Sequence, residues 1–540
     1  MIASRGRGAF RAAVVALGLL VAASGAVVPT MAAYPERDSA YHDYTEMVAT
    51  IHTVAAAHPD IVRVLSIDKS YKGRTIWAVE VSDNVGRDEG EPEVLLDALH
   101  HAREHLTPEM ALYALHLLVD DYGGSGALAQ RTTSLVDGRR IWIIPMVNPD
   151  GLVYDLGGGP FGDGAYRGWR KNRQPNPRSN AVGTDLNRNY GYGWTRTDDP
   201  PAFDYPGPHA WSAPETRAVR DFVLSRRGGG IQRIRTHITF HTTGELVMWP
   251  YSRDSRDLPP DMTTVDQRTL VAMGRHMAAS SGYAARQSGD LGSKPGTEID
   301  WLYGSQRIFA FTFELYPVLG NTVNRFYPPD ERIARETERN RDAVLYLIEM
   351  AGCPYAAIGK SSSYCGPLYD DMEIARDWRV DPSGTDTAAS GAWERGVPLA
   401  GPWQSSATYS GRAALVTGLA RGNDVDGGRT TVRSRFVRLP AGRTAMLRLR
   451  YWTGMSAGAD DADRFRVQVI DRDTGQVLVT ALDVRGDGTD RTPVWRALSV
   501  PLPSSLEGEM VAVLLTAVDG GSSATVEAAV DDVRITVAAP

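Results

Sequence analysis

Apolar and polar residues alternate in two different rhythms along the 540-residue chain. Between residues 38 and 352 short apolar runs interleave with amphipathic stretches. Val94-Leu95-Leu96 is a continuous apolar run of strand length, and Arg140 to Val147 (RIWIIPMV) is another. Such runs suit strands buried on both faces of an α/β sheet. From Ile308 to Leu315, Phe309, Phe311 and Phe313 share one face while Ala310, Thr312 and Glu314 share the other. Tyr41 to Asp60 places Val48, Ile51, Val54 and Ala55 on one helical face, and Glu331 to Met350 reads as a last amphipathic helix. Ile61 to Val81 predicts two short strands around Lys72-Gly73, and Arg235 to Phe240 a strand ending at His241. Asn148-Pro-Asp-Gly151 predicts a turn, and Ser212-Ala-Pro-Glu215 a capping box opening a helix to about Arg226. This order predicts one α/β domain over 38–352, a mixed central sheet flanked by helices.

The rhythm changes past Cys365. Residues 353–380 read as a linker holding a short disulfide loop, Cys353 to Cys365, formed by the only two cysteines. Residues 381–540 then carry short alternating strands: Val432–Leu439, Ala445–Trp452, Phe465–Ile470, Val477–Val484, Trp495–Val500, Val511–Val518 and Val526–Val537. They predict an all-β, jelly-roll-like sandwich. It holds no catalytic cluster, so its expected roles are contact with a wall or glycan, substrate docking, or support. Calcium at Asp531-Asp532 has no other support in the sequence, and an exposed acidic pair at a strand end is the plainer account.

The N-terminus alters the picture in a different way. Arg5, Arg7 and Arg11 precede an apolar stretch that ends in small residues before Tyr34. Residues 1–33 thus read as a secretory signal, which predicts a secreted, extracellular protein without a stable membrane anchor. Only about ten residues separate it from the first helix, which predicts no folded pro-segment. With 58 basic against 65 acidic residues the net charge is −7, which argues against nucleic acid as a partner.

Candidate chemistry gathers where the predicted strands end, as it does in open α/β sheets. After Val94-Leu95-Leu96 comes the polar turn HHAREH, then a helix with Thr107 expected as N-cap, Pro108 in its first turn and Glu109 at its positive end. His101 and Glu104, three residues apart on that turn, can grip one metal ion from two sides. His241 can supply a third ligand, and His237 reads as a core or supporting histidine. Two histidines and one glutamate leave a zinc ion an open position. Glu314 sits on an aromatic strand, where a carboxylate is costly without a partner or a task. It is the candidate general base. Arg103, Arg170 and Arg188 can stabilise an oxyanion or hold a free carboxylate in a two-pronged grip.

Six motifs, LHHAREHLTPE, NPDG, WRK, GTDLNRNYG, FH and FAFTFELYP, resemble in order and spacing the zinc metallocarboxypeptidases of the carboxypeptidase A and T type. The likeness covers about residues 38 to 350. It implies one Zn2+ held by His101, Glu104 and His241, with Asp185 orienting His101. It implies Glu314 as general base and acid, Arg170 supporting the oxyanion, Asn187 and Arg188 holding the terminal carboxylate, and Arg103 lining the approach. The substrates would be peptides or proteins with a free C-terminus. Thr297, Ile299 and Thr312 would form the base of the side-chain pocket, with Met248 on its wall. Ile299 favours apolar or aromatic terminal residues, while Glu298 keeps Lys and Arg open. Two tyrosines usual in the family are replaced, by Gly292 and Thr243. A looser flap and weaker substrate binding are expected from that. The alternatives are a zinc amidase acting on cell-wall peptides, against which Asn187-Arg188 argues, and a zinc-containing binding protein without catalysis.

Overall fold

A computed structural model describes residues 33–537 except 178, 229–230, 319, 321–324, 420–422 and 521–523. The expected export signal lies, but for residue 33, outside the described residues. Helix α1 (Tyr44–Ala57) starts where Asp43 caps it: the Asp43 carboxylate accepts from the Thr45 and Glu46 amides, and Glu46 accepts from the Asp43 amide. Strands β1 (Val62–Lys69) and β2 (Thr75–Val81) pair antiparallel across Lys72-Gly73. The apolar runs become the parallel neighbours β3 (Glu93–Ala98) and β4 (Arg140–Ile144). A small hairpin, β5 (Arg227–Gly228) and β6 (Ile231–Gln232), leads into β7 (Ile234–Gly244). Strands β8 (Leu246–Trp249), β9 (Ala284–Gln287) and β10 (Phe309–Val318) follow. The eight-stranded order is β1-β2-β4-β3-β7-β10-β8-β9. The central β4, β3, β7 and β10 are parallel, while β2 and β8 run against their inner neighbours, so the sheet is mixed.

The period of two along each strand sorts side chains into two cores. Val94, Leu96, Ala98, Phe309, Phe311 and Phe313 meet α1 and the helices α2 (Leu106–Val119), α3 (Ala127–Asp137) and α4 (Pro149–Asp155) on one face. On the other face Leu95, Trp142, Ile144 and Ala310 meet α5 (Pro214–Ser225). Helix α6 (Thr264–Ser281) returns to the first face and α7 (Glu298–Gln306) to the second. Helices α8 (Ile333–Glu338) and α9 (Arg341–Met350) complete the first face. Each large aliphatic or aromatic side chain buried this way contributes roughly 1.5–3 kcal/mol.

Several boundaries differ from the sequence expectation, each for a local reason. Helix α2 begins at Leu106, and Thr107 is inside it rather than capping it: its hydroxyl donates to Glu104 O and accepts from the Leu99 amide, 2.7 and 3.1 Å. Asn148-Pro-Asp-Gly151 opens a helix instead of a turn, because the Asn148 side chain accepts from the Gly151 amide and Pro149 suits the first helical position. The Ser212–Glu215 box does not form. Ala213 is the N-cap, Ser212 receives Asn189 Nδ2, and the Glu215 carboxylate is taken by the Tyr71 amide and Asn172. The last helix is two, because Asn340 Nδ2 donates to Glu336 O and breaks the backbone ladder between them.

The C-terminal region is all-β and antiparallel. Its strands are β11 (Leu368–Asp370), β12 (Arg379–Val380), β13 (Trp393–Gly396), β14 (Ala414–Thr417), β15 (Gly428–Arg433), β16 (Val437–Arg438), β17 (Ala445–Met455), β18 (Arg464–Asp471), β19 (Val477–Arg485), β20 (Arg496–Pro501), β21 (Met510–Asp519) and β22 (Val526–Val537). Two six-stranded sheets result, β13-β14-β22-β17-β20 with β11 on β22, and β12-β15-β21-β18-β19 with β16 on β21. The 353–380 stretch therefore contributes a strand to each sheet, β11 and β12. Cys353 and Cys365 are disulfide-bonded. The pair Asp531-Asp532 is buried inside β22, not exposed at its end. Asp531 accepts from the Tyr409 and Ser410 amides and Asp532 pairs with Arg534, so backbone and arginine satisfy both.

Candidate active site

The sheet's central register builds the site. Strand β3 ends at Ala98 beside Phe240 of β7, so the turn carrying His101 and Glu104 starts next to His241. On the other side of β7, Glu314 of β10 is the register partner of His241. His241 does not end its strand, as the sequence suggested: β7 continues to Gly244. The three groups meet closely. His101 Nδ1 lies 2.8 Å from Glu104 Oε1, His241 Nδ1 lies 2.9 Å from Glu104 Oε2, and the two Nδ1 atoms are 3.1 Å apart. All three residues are buried and offer ligand atoms within 4.8 Å of one another.

This arrangement fits a metal ion on chemical grounds. Asp185 Oδ1 lies 3.1 Å from His101 Nε2, which puts the imidazole proton there and leaves a lone pair on Nδ1. That lone pair faces a carboxylate oxygen, an unfavourable meeting of two acceptors unless a proton or a metal ion sits between them. The ligand types, two imidazoles and a carboxylate, are those of zinc. Burial would raise the Glu104 carboxyl, but the charges of His101 and His241 hold it well below the usual range. The Thr242 amide donates to Glu104 Oε2 and fixes its orientation. Burial also opposes ionisation of Asp185, yet Arg170 and His101 hold it far down; Arg170 Nε and Nη2 reach its Oδ2 at 3.0 and 2.9 Å. One aspartate thus contacts both a candidate ligand and an arginine.

A cleft opens over this centre, lined by Arg103, Asn187, Thr297, Thr312 and Glu314 among others. Glu314 is pushed up to about 8, by burial first and then by the Glu104 charge; Arg170, Lys294 and Arg188 pull the other way. Arg188 donates to Asn187 O, and burial lowers its guanidinium. The Asn187 side chain is already engaged, Nδ2 at 3.2 Å from His241 Nε2 and Oδ1 accepting from the Glu298 amide. Arg103 lies over the Phe326 ring, 4.0 Å from its centroid. Met248 and Thr243 are on the cleft wall; Ile299 is not, being 1 % exposed in the core beneath α7. Gly292 is exposed, with a left-handed φ of 93° and open space around it.

Beneath the centre lies a second polar group that the sequence reading resolved only at His237. His237 Nε2 is 2.7 Å from Asp97 Oδ2, and His100 Nε2 is 2.8 Å from the Tyr190 hydroxyl, which also donates to Glu298 Oε1. Burial lowers His100 to about 3 and, with the Asp97 charge, raises Glu298 well above the carboxyl range. Asp97 and His237 face the same side of adjacent strands, a signal available only once the register of β3 on β7 is known. Lys294 and Arg325, both on the cleft, were also missed.

Two imidazoles and a carboxylate converging at the rim of a mixed α/β sheet, with a further carboxylate one strand away, define a metal-dependent hydrolase. Comparison with known proteins narrows this. Residues 47–343 match the zinc carboxypeptidase family, Peptidase_M14, and the chain belongs to it. A zinc carboxypeptidase of Saccharothrix mutabilis subsp. capreolus is 40% identical over 343 residues, 61% of this chain and 73% of that protein. Mast cell carboxypeptidase A of Rattus norvegicus is 28% identical over 284 residues, 51% of this chain and 63% of its own. Among solved structures, carboxypeptidase A from Helicoverpa armigera aligns with a TM-score of 0.50 at 25% identity, covering 59% of this chain and 75% of that one. The chain is a metallocarboxypeptidase, and the family implies zinc at its metal site. No helix among the described residues is long and apolar enough to cross a membrane.

Proposed function

We propose that this protein is a secreted exopeptidase that removes single amino acids from the C-terminus of peptides, with its zinc held by His101, Glu104 and His241. The reading is carried by one observation: Glu314 and the arginines 170 and 188 line one cleft over the three-ligand group, and Glu314 is the register partner of His241. Zinc at such a site polarises a carbonyl and makes water acidic. Glu314 takes the proton of the attacking water and passes it to the leaving amine. Arg170, held by Asp185, steadies the oxyanion as the peptide carbonyl is attacked. Arg188 grips the terminal carboxylate beside Asn187, and Arg103 guides the chain along the approach. Thr297 and Thr312 line the side-chain pocket. The sandwich is the part that would contact a wall or glycan.

The test is mass spectrometry of a peptide incubated with the protein, as free acid and as C-terminal amide. A ladder of single-residue losses from the free acid alone, abolished by a chelator and restored by zinc, is expected. Internal cleavage, or equal attack on the amide, would contradict the assignment.

A further inference from the structure

One cation on the cleft has no task in this scheme. Arg103 stacks on Phe326, Arg170 pairs with Asp185, Arg188 donates to Asn187 O and Arg325 donates to Thr243 Oγ1. The Lys294 ammonium makes no hydrogen bond or ion pair among the described residues; only its backbone amide is tied, to Ser252 O at 2.8 Å. It sits on the loop between Gly292 and α7, the loop that lacks the family's usual tyrosine. The same cleft carries Ser252, Ser288, Thr297 and Thr312, with Leu246 and Met248 among its apolar residues.

Two negative findings sharpen this. Ile299, the residue behind the expected apolar preference, is in the core and off the wall. Glu298, which kept basic side chains open, turns its carboxyl toward Tyr190 and His100, away from the cleft. Outside the ligand group the cleft is rich in hydroxyls and carries five cations, Lys294 among them, against two carboxylates, Asp204 and the candidate base Glu314. Burial destabilises the Lys294 ammonium, Arg188 and Arg170 add to this, and Glu314 partly offsets it. A carboxylate arriving from a ligand relieves that cost, whereas an ammonium adds to it.

We propose that Lys294 makes the terminal-residue pocket selective for acidic side chains, so that the preferred substrates are peptides ending in aspartate or glutamate. The inference rests on the exopeptidase reading, with Arg188 taking the α-carboxylate and Lys294 the side chain.

The experiment compares kcat/KM for four peptides that differ only in ending with Glu, Gln, Leu or Lys, in the zinc-loaded wild type, Lys294→Ala and Lys294→Glu. The wild type is expected to favour Glu over Gln by about 10- to 100-fold, the effect of one charge-assisted hydrogen bond. Lys294→Ala should bring that ratio near one, and Lys294→Glu should favour Lys over Glu. A wild-type Glu-to-Gln ratio near one overturns the proposal. So does a uniform fall for all four peptides in Lys294→Ala, which would place Lys294 on the α-carboxylate. Calorimetric binding of free glutamate and glutamine provides the second arm. Glutamate-selective binding lost in Lys294→Ala, without turnover of any peptide, would uphold the pocket and remove the exopeptidase reading. Equal binding of the two amino acids by the wild type would overturn the pocket even if peptides are cleaved.

Discussion

Glu314 and Asp185 are both carboxylates near the same centre, yet their surroundings drive them in opposite directions. Asp185 is held ionised by Arg170 and His101, while Glu314 is raised to about 8 by burial and by Glu104. Opposite environments suit the two tasks proposed for them: a fixed orienting anion and a group that exchanges a proton. Glu314→Gln should lower kcat by about 10²- to 10⁴-fold while zinc content stays at one per chain. Metal analysis beside kinetics checks this, and a fall in zinc parallel to the fall in kcat would make Glu314 a structural group. Asp185→Asn should weaken zinc binding by about 10- to 100-fold, measured by competition with a chelator, because the His101 tautomer loses its anchor. His101, Glu104, His241 and Glu314 were legible from residue type and motif order alone. Lys294 was not. In the sequence it is one lysine in a loop whose mismatch drew attention to Gly292, and only the folded cleft shows it without a partner.

At the scale of elements, the turn between β3 and α2 sets the metal site. Thr107 stitches it by donating to Glu104 O and accepting from the Leu99 amide. Thr107→Ala leaves a buried amide unpaired, and should cost about 1–3 kcal/mol of stability. Its apparent zinc affinity should fall as well, even though no ligand is altered. Chemical denaturation of the apo and zinc-loaded forms measures both effects; unchanged zinc affinity would mean that the turn holds its shape without this hydroxyl. The sequence revealed that this turn exists but misplaced Thr107 as a cap, because propensity at a helix start does not tell which neighbour a hydroxyl will serve. It likewise ended β7 at His241, since polarity in TTGE looks like a loop until β10 and β8 are seen beside it. The Asp97–His237 pairing depends on strand register, which no single segment encodes.

At the scale of the whole molecule, the sandwich carries pH-responsive groups of its own. In the sandwich, burial and Asp532 raise Asp531 to about 9, and burial raises Glu527 to about 7. A carboxyl raised on folding stabilises fully below its unfolded pKa, near 4, and that contribution is lost as pH climbs through the folded value. The sandwich should therefore lose stability steadily from about pH 4 toward pH 9. Asp531→Asn should flatten that decline in calorimetric melts, and an equally steep profile in the variant would refute the assignment. The longer strands of the sandwich were legible from period two, whereas β11 to β14, two to four residues long, were not, and the expected strand Val432–Leu439 is split between β15 and β16. The metal centre tests the account most directly, because it joins residues 140 positions apart in the chain. Anomalous diffraction from a crystal of the zinc-loaded protein, collected on both sides of the zinc edge, locates the ion. One peak per chain between His101 Nδ1, the Glu104 carboxylate and His241 Nδ1 is the predicted result. A peak elsewhere, or none in an active enzyme, would contradict it.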